Sequence, residues 1–308
     1  MCICADNVKE VSCTKIISFH VGYSLNSKPI IPGQLVVYSA TVESLANSNA
    51  FILPVYNPGN DPSQIIPLDF SELSSFFDDV ETIFERWFPT FQKQSYALTN
   101  SFESRSYDTL EVYTVGDYKF SIMPTKNDFN RLDKKQLNIN AIAKTAIDVH
   151  PDNYSFIVYQ FYQRGKLNIT PFGYICSPYD NSKMVIPTIH GHPHDVLPNI
   201  GTGYIPNMFV PYNSGFENQA DFDHEIYSLA KNPDENSSNS KKDVRDIDRL
   251  LKTIKTDYMQ RKIRIYCPLK FIPNKIKLAG NKMNRNILIN RNEFNFIRDL
   301  LVDPGGNL

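Results

Sequence analysis

The stretch Tyr154-Ser155-Phe156-Ile157-Val158-Tyr159-Gln160-Phe161-Tyr162, the break Gln163-Arg164-Gly165-Lys166, and the run Ile169-Thr170-Pro171-Phe172-Gly173-Tyr174-Ile175-Cys176 together decide the fold class. Both apolar runs are short, rich in β-branched and aromatic residues, and bounded by turn residues, which reads as strand rather than helix. The same signature recurs on either side. Val11 to Phe19, Gln34 to Val42 and Phe51 to Val55 read as strands, and Asn57-Pro58-Gly59-Asn60-Asp61-Pro62 as a turn cluster. Leu110 to Val115 and Tyr118 to Met123 flank Gly116-Asp117 and predict a hairpin. Met184 to Ile189, Ile263 to Tyr266 and Ile276 to Leu278 are further strands, and Asn199 to Ser214 reads as a long irregular loop.

Helical spacing appears between these strands. Leu73, Phe76, Phe77, Val80, Phe84 and Trp87 recur at intervals of three and four, behind an Asp69/Ser71 cap with Glu72 and ahead of Pro89. One or two helices are expected within Asn127 to Ile147, one from Val244 to Met259, and a last one from Phe294 to Leu301. The sum is an α+β fold, mainly antiparallel sheet with flanking helices. Three segments are expected. Residues 1–230 form the main α+β domain, 231–242 a polar flexible linker, and 243–308 a basic helix and strand segment packing on the main domain.

With 308 residues, 42% hydrophobic and 12% aromatic, the chain has material for a large core. Its formal charge of -1 favours no polyanionic partner. The charge is uneven: residues 241–308 hold 16 Lys+Arg against 7 Asp+Glu, a balance of +9, leaving 16 against 26, or -10, for residues 1–240. No nucleic-acid-binding motif accompanies the basic stretch, so a basic flank packed on an acidic body is the expectation. No run approaches the ~18 apolar residues of a membrane span. Five cysteines in 308 residues do not make a disulfide framework, and the start has no secretory pattern. A reducing intracellular compartment, such as the cytoplasm, is expected. Abundant Asn, Lys, Ile and Tyr, whose codons are AT-rich, suggest the AT-rich genome of a protist or a large virus.

Three of the six histidines fall within five residues: His190, His192 and His194, followed by Asp195. Imidazole is the commonest metal ligand. Zinc or another divalent ion on His190, His192 and His224, with His194 and Asp195 as accessories, would suit a hydrolase; Asp223 would orient a histidine or act as base. A second reading is a non-enzymatic binding or structural protein whose histidines hydrogen-bond strand ends together. A third begins at Cys2, which removal of Met1 would leave with a free α-amino group, the arrangement of an N-terminal nucleophile. Cys2 and Cys4 also suit a mixed Cys/His zinc site. No His-Glu-x-x-His, Walker A or Gly-x-Ser-x-Gly motif is present. The fragment His190-Gly191-His192-Pro193 is similar to that of JAMM-type metalloproteases, but Gly201 and Tyr204 stand where those need Ser and Asp. Asp78 and Asp79 are adjacent on their helix and do not face each other.

Several segments also resemble a family of uncharacterised, mostly bacterial proteins. They are Met1-Cys2, Gln34 to Ser39, Ala50 to Val55, Ile66 to Ser71 with Phe76-Phe77, and Leu110-Glu111-Val112 with Val115 to Tyr118. Pro187-Thr188-Ile189-His190-Gly191-His192, Asp221 to Tyr227 and Gly280 to Asn286 extend the likeness along the chain. The front third is distantly similar to DUF2330-type proteins through its Leu-Pro-Val strand. The resemblance implies no reaction. It does imply that His190, His192, Asp223 and His224 belong to one motif set, with His194 an addition of this chain.

Overall fold

The computed structural model describes residues 3–5, 7–26, 30–85, 112–132, 137–178, 183–187, 189, 191, 208–213, 226–228, 246, 249–256, 262–266, 273–278, 287–290 and 296–297. In chain order the first strands are β1 (Ile3–Cys4), β2 (Val8–Leu25), β3 (Ile31–Ser44), β4 (Asn49–Tyr56) and β5 (Ile66–Leu68). Helix α1 (Phe76–Glu85) follows, then β6 (Tyr113–Val115), β7 (Tyr118–Met123), a 3-10 turn over Lys126–Arg131, and α2 (Ala141–Asp148). The chain continues through β8 (Tyr154–Phe161), β9 (Gly165–Asn168), β10 (Phe172–Cys176), β11 (Lys183–Ile186), β12 (Met208–Asn213) and β13 (Ile226–Ser228). Last come β14 (Ile263–Tyr266), β15 (Pro273–Leu278), β16 (Ile287–Asn290) and β17 (Phe296–Ile297).

Among the described residues these strands form three sheets. One has five strands in the order β1-β4-β8-β7-β6. The second has nine, along β13-β15-β12-β2-β3-β10-β5, with β14 on β2 and β9 on β3. The third has three, β11-β16-β17. Pairing is antiparallel except for β12 against β2. The architecture is therefore more β-rich than an α+β reading implies, and its helices are few.

Alternation along the strands sorts side chains into layers. On β3, Val36, Tyr38, Ala40 and Val42 enter one cluster, while Leu35 and Val37 enter another. On β4, Phe51, Leu53 and Val55 join the first cluster, and Ala50 and Ile52 a third. The first cluster thus lies between the five- and nine-stranded sheets. The second lies between the nine-stranded sheet, α1 and residues 249–254, where Leu251 and Ile254 are buried. The third lies between the five-stranded sheet and α2. With both faces covered, β4 and β8 become nearly unbroken apolar runs, which is why residues 154–162 read so strongly.

Several sequence expectations change. Helix α1 begins at Phe76, because the Asp69 carboxylate accepts from both Ser71 N and Ser71 Oγ and holds the preceding residues in a turn. Residues 165–168, the first two of which lie in the expected break, form β9 against β3. The expected loop 199–214 contains β12, whose ladders to β15 and β2 supply partners no local window contains. Residues 296–297, expected to be helical, pair as β17 with β16. The linker 231–242 lies outside the described residues. In the basic stretch beyond it, β14 pairs with β2, β15 with β12, and β16 with β11.

Candidate functional site

Cys2, His190, His192, His194, Asp195, Asp223 and His224 all lie outside the described residues, but the backbone on either side of several is placed. Strand β11 leads to Pro187 and Ile189, both buried, and then to Gly191. Gly191 forms a parallel bridge with Ile3, and its carbonyl oxygen accepts from the Cys4 N–H at 2.9 Å. A Cβ on Gly191 would stand 3.1 Å from Ala146 Cβ and 3.4 Å from the Ile142 carbonyl oxygen. Gly191 is therefore wedged between β1 and α2. Ile189 and Ile3 join Ala143, Ala146 and Ile147 in the third core cluster.

A second clasp lies upstream. Gln34, 1% exposed, donates from Nε2 to Val185 O at 2.6 Å and to Ser18 Oγ at 2.9 Å. Its Oε1 accepts from Val185 N at 3.2 Å. One side-chain amide thereby satisfies both backbone groups of Val185, as a neighbouring strand would.

The strand that follows Asp223-His224 is β13, at one end of the nine-stranded sheet. Three strand steps separate it from β2, about 14 Å at the usual ~4.8 Å spacing. Gly191, by contrast, bridges the edge strand β1 of the five-stranded sheet.

The titratable groups that are described and buried serve the framework. His150 caps α2, its Nδ1–H donating to Ala146 O at 2.9 Å, with its ring against Tyr154 and Phe156. Burial lowers its pKa to about 4, so the imidazole is neutral. Burial also pushes the Cys176 thiol up to about 12, which keeps it protonated. Neither Cys4 nor Cys176 is in a disulfide, and both are buried. Tyr118 and Tyr159, their phenols raised by burial, donate to Thr170 O and Gly173 O and tie the two larger sheets together. Among the described residues no three His, Cys, Asp or Glu side chains stand close enough to share a metal ion. No helix there is long and apolar enough to cross a membrane.

Sequence reasoning passed over Gln34, a glutamine within an apolar strand. Its isolation as a polar residue between Gly33 and Leu35-Val36-Val37 was the available signal, since a buried amide needs partners.

No family model matches the chain. Among solved structures it is similar to baculovirus P35, with 11% identity and a TM-score of 0.44 over 95% of this chain and all of that one. A caspase-8/P35 complex gives 13% identity and a TM-score of 0.39, covering 91% of this chain and 96% of that one. A mutated baculovirus P35 after caspase cleavage gives 12% and 0.39, over 90% and 99%. Likeness at that level carries no argument about what this chain does.

Proposed function

We propose that this protein works without catalysis, as a β-rich binding or structural protein, and that His190 and His192 belong to its framework. The supporting observation is the wedged backbone at Gly191, bonded to Cys4 and packed under Ala146 and Ile142. On this reading the histidines flanking Gly191 tie strand ends together by hydrogen bonds. Elemental analysis of the purified protein tests this. The expected result is no stoichiometric metal, with His190→Ala plus His192→Ala lowering the melting temperature at unchanged metal content. One equivalent of zinc, lost in that double variant, overturns it. So does metal-dependent hydrolysis of ester, peptide or phosphoester substrates by the pure protein.

A second reading has its own observation. The parallel Ile3–Gly191 bridge sets Cys2 and His190 each one covalent step from a bridged residue, and Cys4 and His192 likewise on the other side. A mixed Cys/His zinc site fits that register, with His224 as a further ligand in the three-histidine form. Zinc retained in wild type and lost in Cys2→Ser would establish the mixed form. The Cys2 nucleophile is tested by intact mass: retention of Met1 ends it.

A further inference from the structure

We draw no further inference here: the strongest candidate, the exposed apolar patch of Ile30, Ile31 and Pro32 where the chain enters β3, carries nothing, because nothing among the described residues shows what covers it.

Discussion

The layer between the two large sheets and the segment from β11 to Gly191 are both buried, yet they are held in different ways. In the first, Phe172 packs against Tyr38, Phe51, Tyr118 and Tyr159 at centroid distances of 5.1, 5.5, 5.1 and 4.5 Å. Ladders run the full length of β4 against β8, from Asn49↔Phe161 to Tyr56↔Tyr154. Many interchangeable contacts determine that layer. The second is pinned by directed bonds across long sequence separations, Gln34 on Val185 and Cys4 on Gly191, beside the apolar burial of Val185, Ile186 and Ile189. Damage to the layer should therefore appear as lost global stability. Damage to the segment should appear locally.

The largest test of that contrast is Phe172→Ala. Removing the ring at the centre of the aromatic cluster should cost about 3–5 kcal/mol in denaturant unfolding. A cost near 1 kcal/mol would mean that the layer is loosely packed.

Next comes acid. His150 is neutral in the fold at about 4, against 6.5 for the free group. The unfolded chain therefore binds the extra proton first as pH falls. The stability this contributes is complete above pH 6.5 and is lost between 6.5 and 4, roughly 3 kcal/mol in all. Unfolding measured across that window in wild type and His150→Gln should show this component vanish in the variant.

A matched pair of glycines follows. At Gly173 a Cβ would lie 2.4 Å from Val36 O, which is backbone within a ladder, so Gly173→Ala should destabilise by about 2 kcal/mol. At Gly191 the nearest atom is a methyl group at 3.1 Å, and Gly191→Ala should cost under ~1 kcal/mol. Equal costs would erase the contrast between the two regions. Smallest is Lys255→Gln at the exposed Lys255–Glu72 pair, where thermal unfolding should show no measurable shift.

What was legible in the sequence follows the same division. Ile263 to Tyr266 was bounded correctly because its alternation is local. Gly116-Asp117 was legible because a two-residue hairpin turn asks for positive φ, and Gly116 has φ 55°. β12 was not legible. Pro211 lies inside it and argues against a strand, while the partners that make it one, β2 and β15, lie far away in sequence. Phe294 to Leu301 carries apolar spacing compatible with a helix, and pairing with β16 decided residues 296–297 otherwise. The histidine segment was visible as composition, but the hold on it was not. Gln34 is 151 residues from Val185, and Cys4 is farther still from Gly191.

Burial on both faces of β4 has one more effect. Most strands guard their register by polarity, since a slip of one residue turns apolar side chains out to water. Here a slip would bury apolar side chains again. What differs between the faces is size: Phe51 stacks on Phe161 at 5.1 Å on one side, while its neighbour Ala50 faces the other, opposite Gln160. A slipped strand would press a ring into a space shaped for a methyl group and leave a hollow in the aromatic layer. Alignment of these two strands is enforced by volume, in the manner of a key whose teeth differ in depth.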